Sequence, residues 1–230
     1  MSEPANPSEV SEGVWPPPPA NPLGVEVSPT PLLAFRPVQR LGRALCTLLV
    51  VDCGLSAAAG LCAALLPTST DRAIASSVLT PLLALWLLVE GVCFLVWLYR
   101  LARNLRAFGA ERLKFTPGWA VIYFFIPILN LYQPYQIFTE VWQASSLDPA
   151  ARTRAGRQSV HPPALLGVWW GCWLLWALVY RLASLDPASA ASNAAAASPF
   201  RFVAAILCLC MVRLYTRRQQ TTARHLSLIP

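Results

Sequence analysis

Long apolar runs separated by short polar segments make up most of this chain. Four runs of about twenty residues contain few charged side chains, and they cover residues 44–66, 80–98, 164–183 and 199–215. An α-helix of about twenty residues crosses the ~30 Å hydrocarbon core of a bilayer. We therefore predict an all-α integral membrane protein with four transmembrane helices, in a membrane domain over residues 38–216.

Local sequence signals predict where several helices begin and end. Thr80-Pro81 and Ser198-Pro199 each place a hydroxyl side chain before a proline, which is the pattern of an N-cap followed by the first helical residue. The second helix is expected to extend beyond the membrane and to end at Gly109, which would be its C′ glycine.

A fifth apolar segment, residues 117–138, does not fit the pattern of a spanning helix. Only nine residues separate Pro117 from Pro127, and Pro134 follows soon after. Each proline removes a helical hydrogen bond, and broken backbone at membrane depth needs polar partners, which Asn130 and Gln133 are expected to supply. We predict a proline-broken re-entrant or interfacial segment, with a continuous fifth transmembrane helix as the alternative.

The distribution of basic residues separates these two topologies. With four spans and a cytoplasmic N-terminus, Arg72, Arg181 and Arg201 are the only ones of the 18 basic residues on the outer side. With five spans the division becomes ten inside and eight outside. Because cytoplasmic loops of membrane proteins are enriched in Lys and Arg, the first topology is favoured, with both termini cytoplasmic and the protein in the cell (inner) membrane.

The two ends of the chain are polar. Residues 1–37 contain ten of the 21 prolines and no apolar signal-peptide core, which predicts a disordered, proline-rich cytoplasmic tail that is also a possible docking segment for a protein partner. Residues 217–230 are expected to form a cytoplasmic C-terminal tail. The net charge of +7 sets orientation and does not imply a nucleic-acid partner.

The stretch 94–145 resembles the signature of a bacterial polytopic membrane family known as domain of unknown function 4328. The residues that carry the resemblance are Trp97, Tyr99, Arg100, Asn104, Pro117, Trp119, Pro127, Asn130, Pro134 and Gln136. The resemblance implies a polytopic inner-membrane protein and supplies no catalytic residues.

Two acids lie inside apolar runs, Asp52 and Glu90. Each is nine residues from the expected cytoplasmic end of its helix, and at 1.5 Å per residue both lie about 13 Å deep. Intramembrane carboxylates are costly and frequently functional. The pair is interpreted either as a proton or cation relay or as a packing contact between helices, with packing favoured.

Other aromatic and reactive side chains have simpler interpretations. Trp169, Trp173 and Trp176 share one helix face, which indicates an aromatic cage or, preferably, a lipid-facing or packing stripe. His161 and His225 lie in polar segments, and the seven cysteines lie in apolar runs. No common catalytic motif is present, so we expect no enzyme, no metal and no cofactor.

Basic residues at the end of the second helix suggest contact with lipid. Arg100 and Arg103 share a face with Asn104, and an arginine fork holds a phosphate in bidentate geometry. An anionic lipid between this helix and the broken segment is one interpretation, and charge that only orients the chain is the other.

The sequence indicates the function of the protein less clearly than its architecture. The leading hypothesis is a non-enzymatic interaction or scaffold component that uses its tail and basic face. The alternative is a small transporter or channel-like protein that uses Asp52 and Glu90, and a membrane-embedded enzyme comes third. A polar cavity between the two acids that reaches water would favour transport.

Overall fold

The computed structural model describes residues 34–66, 68–183, 185 and 190–229, and these residues form helices and connecting turns without any β-strand. The helices are α1 (Gln39–Leu65), α2 (Ser69–Ala107), α3 (Pro117–Ile122), α4 (Gln133–Ala144), α5 (Arg154–Gln158), α6 (Ala164–Ala183) and α7 (Ala190–His225). Two 3-10 turns, Leu129–Leu131 and Pro149–Arg152, precede α4 and α5 respectively.

The predicted start of the second helix is wrong, and its predicted end is confirmed. The N-cap is Thr68, whose side chain accepts a hydrogen bond from Asp71 N, and Pro81 lies inside the helix. The Thr68 cap begins the helix three turns earlier, and the helix continues through the proline. Gly109 has a φ of 76°, so it is the left-handed residue after the C-cap at Phe108.

The expected boundaries of the last helix also need correction. α7 begins at Ala190, so Ser198-Pro199 does not mark its start. It continues to His225, so most of the predicted C-terminal tail is helical. The extra turns carry buried residues such as Gln219 and Ala223, which pack on the rest of the protein and hold this end in helical form.

Part of the predicted N-terminal tail is ordered against the helices. Residues 1–33 lie outside the described part of the chain. Phe35 stacks on Phe108 with ring centroids 5.7 Å apart, and the backbone of Arg36 pairs with the side chain of Asn104. Phe35 and Arg36 therefore belong to the packed part of the protein, and the predicted boundary at residue 37 is wrong.

The long helices pack in the order α2, α1, α7 and α6. α1 contacts both α2 and α7, and α7 also packs along α6. α3 lies against α2, and α4 contacts both α2 and α6 at the end of the helices where α1 begins. A core of aromatic rings joins these elements, since Phe138 of α4 lies within 6.1 Å of Trp97 and 5.4 Å of Trp169, measured between ring centroids.

The segment 117–138 contains no continuous helix. Thr116 caps α3, Pro117 occupies its first turn, and α3 ends after six residues at Ile122. A turn containing Pro127 leads to the 3-10 turn, and α4 then begins with Pro134 in its first turn. The interruption falls at the prolines because each lacks a backbone N–H and disfavours helix in the residue before it.

Three helices are long and apolar enough to cross a membrane among the described residues, with candidate spans Gln39–Leu61, Ser77–Ala107 and Ala164–Leu182. These three helices indicate a membrane protein. α7 is not among them. Arg201 and Arg213 lie within the span predicted for it, residues 199–215, and a fourth transmembrane helix stays a prediction.

Gly42 allows α1 and α7 to approach closely. A Cβ atom at this position would lie 2.7 Å from Thr216 Oγ1, and that hydroxyl accepts a hydrogen bond from the indole of buried Trp97. Gly42→Ala is therefore expected to lower the free energy of unfolding in detergent by about 1–2 kcal/mol. Gly54→Ala on the same helix, where an added Cβ meets nothing within 4 Å, is the control and is expected to stabilise by about 0.5 kcal/mol. Equal effects of the two changes would show that the helices do not touch at Gly42.

Candidate functional site

A cavity of about 290 Å³ lies between α1, α2, α6 and α7. Asp52 comes from α1, Glu90 from α2 and Arg201 from α7, and apolar and aromatic side chains form most of the remaining wall. Phe124 and Phe125 of the broken segment also line it. The edge is not sealed, because the side chains of Leu87 and Phe125 are 51% and 70% exposed.

Asp52 forms an ion pair with Arg201. Arg201 Nη2 donates to both carboxylate oxygens of Asp52 at 2.8 Å, and its Nη1 donates to Ser56 Oγ at 2.7 Å. Asp52 is 5% exposed, whereas the Arg201 side chain is 33% exposed. The guanidinium thus supplies the positive charge that a carboxylate in this position requires.

Arg201 is the functional candidate that sequence reasoning missed. The charge count treated it as an outer-side charge at the beginning of the last span, but α7 begins eleven residues earlier and carries Arg201 beside α1. The pairing joins residues 149 positions apart, which local patterns do not reveal. The available signal was a lone arginine at the start of an apolar run.

Glu90 faces the same cavity but lacks such a partner. It is partly buried, and its Oε2 atom makes no hydrogen bond within the described part of the chain. Asp52 and Arg201 line the same cavity. The structure therefore brings the two predicted acids to one site. Asp52 is neutralised by Arg201, while Glu90 has a free carboxyl oxygen.

The tryptophan stripe forms a wall of this cavity rather than a lipid-facing surface. Trp169, Trp173 and Trp176 of α6 all line it, and Trp169 is only 4% exposed. Trp170 stacks on Trp173 with ring centroids 4.9 Å apart and planes 10° from parallel. Phe94 of α2 lies 6.4 Å from Trp169 between ring centroids and narrows this end of the cavity.

These groups together favour a particular ligand chemistry. Two carboxyl groups and one guanidinium leave one acid without a counter-charge, and aromatic ring faces attract cations. The large apolar share of the wall favours a ligand with an apolar body. Among the described residues, no three His, Cys, Asp or Glu side chains are grouped so that they could hold a metal ion.

Asn104 is the centre of a buried polar cluster at the end of α2. Its Nδ2 donates to Gln219 Oε1 at 3.1 Å and to the Arg36 carbonyl at 2.9 Å, and its Oδ1 accepts from Arg36 N at 3.0 Å. Gln219 in turn donates to the Leu101 carbonyl at 2.9 Å and to Ser145 Oγ at 3.3 Å. The cluster joins α2, α7, the end of α4 and the segment before α1, so Asn104 has a structural role.

Other signature residues also stabilise the architecture. Trp97 is fully buried and donates from Nε1 to Thr216 Oγ1 at 3.1 Å. Pro117 and Pro134 lie in the first turns of α3 and α4, and Gln136 Oε1 accepts a hydrogen bond from Lys114 Nζ.

The exposed signature residues lie at the protein surface. Tyr99 and Trp119 are 40% and 49% exposed, which suits aromatic side chains at a membrane boundary. Trp119 packs against Tyr123 with ring centroids 5.5 Å apart.

The expected role of Asn130 and Gln133 in the broken segment is wrong. Asn130 Oδ1 and Gln133 Oε1 are buried and make no hydrogen bond within the described residues. The backbone is satisfied by other groups, since Trp170 Nε1 donates to the Leu131 carbonyl at 3.0 Å and Asn130 N donates to the Ile126 carbonyl at 2.8 Å. Pro127 itself lies on the exposed side of this turn.

The arginines at the end of α2 differ in exposure from their asparagine neighbour. Arg100 and Arg103 are partly buried, while Asn104 is 1% exposed. Lipid binding by these two guanidinium groups stays a prediction.

Comparison with known proteins assigns the chain to a family. No curated protein and no solved structure matches it. A family model described as Domain of unknown function (DUF4328) matches residues 61–217, which is more than half of the 230 residues. The matched range includes Glu90 and Arg201, whereas Asp52 precedes it, and it confirms the resemblance inferred from the 94–145 signature. The chain is therefore a member of the family Domain of unknown function (DUF4328).

Proposed function

We propose that this protein is a non-enzymatic, multi-pass membrane protein that binds a small lipophilic organic cation in the cavity between α1, α2, α6 and α7. The observation that carries the proposal is Glu90, whose Oε2 atom is buried without a hydrogen-bond partner and faces the cavity. Leaving a buried carboxyl oxygen unpaired is costly, so a ligand that supplies charge or a donor there is favoured.

The remainder of the wall supports a cation with an apolar body. Trp169, Trp173 and Trp176 line the cavity, and indole rings attract cations and also suit aliphatic or aromatic groups. The volume of about 290 Å³ lies at the lower end of the range for small-molecule sites.

This proposal modifies the transporter hypothesis drawn from the sequence. A relay between Asp52 and Glu90 requires both acids to exchange protons or ions. Both oxygens of Asp52 accept hydrogen bonds from Arg201, so Asp52 is better suited to hold α1 and α7 together. Glu90 is then the acid left for the ligand.

The scaffold hypothesis rested on the proline-rich tail and on the basic face at the end of α2. Residues 1–33 lie outside the described part of the chain, and partner binding through the tail or the basic face stays a prediction.

We further propose that α7 is the fourth transmembrane helix, with both termini cytoplasmic in the inner membrane. Its packing along α1 and α6 supports this, since both neighbours have candidate spans. The Asp52–Arg201 pair removes one arginine from the outer-side count, which strengthens the asymmetry of basic residues. Reporter fusions at Gly156 and after His225 test this topology, and an outer-side signal at either position would contradict it.

Equilibrium binding of radiolabelled tetraphenylphosphonium to the protein in zwitterionic nanodiscs tests the cation site. Wild-type protein is expected to show one saturable site, and Glu90→Gln is expected to weaken it at least about tenfold, because the substitution removes the unpaired acid and keeps its shape. The same variant should keep its thermal stability, since Glu90 Oε2 makes no hydrogen bond that the change would break.

Two controls separate this site from general attraction of cations. Glu111→Gln removes an equivalent charge from an exposed position between α2 and α3 and should leave binding unchanged. Neutral triphenylphosphine oxide should bind more weakly than the cation. Absence of saturable binding to wild-type protein, or equal binding by Glu90→Gln, would refute the proposed function.

A further inference from the structure

A second concave surface lies between the N-terminal half of α1 and the C-terminal part of α7. This groove has a volume of about 710 Å³ and does not share lining residues with the cavity described above. Its floor is the close contact between Gly42 and Thr216. Seven lining residues come from α1 and five from α7.

The groove concentrates positive charge. Arg43 from α1 and Arg213 and Arg217 from α7 line it, and all three are exposed. Its lining contains no acid, and within the described residues none of these guanidinium groups forms an ion pair. Gln220 adds a buried Nε2 donor that has no hydrogen-bond partner there. Three guanidinium groups and one unpaired amide donor thus line one groove whose lining contains no acid.

The groove continues from these donors into apolar surface. Val50 and Val51, which are 56% and 37% exposed, line the groove two turns after Arg43, towards the C-terminal end of α1. They lie about 10 Å deeper than Arg43 at 1.5 Å per residue. Arg43 is near the start of the candidate span Gln39–Leu61, so the charged end lies at headgroup level and the valines at acyl-chain level.

We propose that this groove binds one anionic phospholipid from the leaflet at the N-terminal end of α1. The phosphate accepts hydrogen bonds from Arg213, Arg217 and Gln220, with Arg43 at the opposite wall, and an acyl chain lies along Val50 and Val51. Arginine suits this role because its planar fork pairs with phosphate oxygens, and basic grooves between transmembrane helices are typical sites for anionic headgroups. The proposal is independent of the cation site.

The test is the thermal stability of delipidated protein in detergent, titrated with dioleoyl phosphatidylglycerol or dioleoyl phosphatidylcholine. Wild-type protein is expected to be stabilised by the anionic lipid and little by the zwitterionic one. Arg213→Gln with Arg217→Gln is expected to raise the lipid concentration at half-maximal stabilisation about tenfold or more. Arg43→Gln alone, on the other helix, is expected to give a smaller shift in the same direction.

A matched comparison removes the same number of charges from the other candidate position. Arg100→Gln with Arg103→Gln should leave the titration unchanged. Equal weakening in both double variants would show that only general surface charge is involved, and weakening in the Arg100 and Arg103 variant alone would place the lipid at the end of α2. Either result overturns the proposal. Full stabilisation by inorganic phosphate or glycerol 3-phosphate would also overturn it, because the ligand would then be a free phosphate rather than a lipid.

Discussion

Replacing Arg201 by glutamine is expected to lower the free energy of unfolding in detergent by about 3 kcal/mol, and Asp52→Asn is expected to have a similar effect. Each single change leaves the other member of the pair without its partner in a site that is largely apolar. Loss of one partner from a buried ion pair typically costs about 3–5 kcal/mol. The lower value applies here because the Arg201 side chain is 33% exposed.

The double variant, Asp52→Asn with Arg201→Gln, is expected to cost less than the sum of the two single changes. It removes both charges together, so no unpaired ion remains. Chemical unfolding of the four proteins gives the coupling energy, which should exceed about 1 kcal/mol. Arg181→Gln, at an exposed position near the end of α6, is the charge control and should have little effect. Additive costs of the two single changes would mean that the pair does not form in the membrane protein.

Asn104→Leu is expected to lower the free energy of unfolding by about 2–3 kcal/mol. The leucine is similar in size but leaves Gln219 Oε1 and the backbone N–H and carbonyl of Arg36 without the partner that the amide supplied. Buried polar groups that lose their partner each cost about 1–3 kcal/mol. The expected structural sign is release of the segment around Arg36, measured as faster amide hydrogen exchange before α1.

Asn130→Leu is a matched control for this change. It is the same substitution at another signature residue, but Asn130 Oδ1 makes no hydrogen bond among the described residues. Its effect on stability should be close to zero or slightly favourable, because an unsatisfied buried oxygen is removed. A larger loss at Asn130 than at Asn104 would contradict the assignment of the polar cluster.

The features that sequence reasoning obtained depend on local physics. Apolar runs of sufficient length predict α1, α2 and α6, and three closely spaced prolines predict the interruption between α3 and α4. The shared depth of Asp52 and Glu90 follows from the fixed rise of the α-helix, and both acids do reach one cavity.

The features that it missed depend on contacts between distant segments. Arg201 meets Asp52 only because α7 lies beside α1, and a charge count treats that arginine only as a charge on the outer side. Pro81 and Pro199 lie within helices rather than at their first turns. α2 begins at Ser69 and α7 at Ala190, and both helices continue through the proline. The groove at Arg213 and Arg217 requires two helix ends to converge, whereas the sequence shows only orienting charge.

Photolabelling with a lipophilic quaternary ammonium that carries a diazirine group locates the bound cation most directly. Mass spectrometry of labelled protein should place the adducts on residues that line the cavity, mainly Trp169, Trp173 and Phe94, and excess tetraphenylphosphonium should suppress them. Glu90→Gln should reduce the same adducts and leave background labelling of lipid-facing residues unchanged. Adducts confined to outward-facing side chains such as Val78 and Leu178, unaffected by Glu90→Gln, would contradict cation binding in the cavity between α1, α2, α6 and α7.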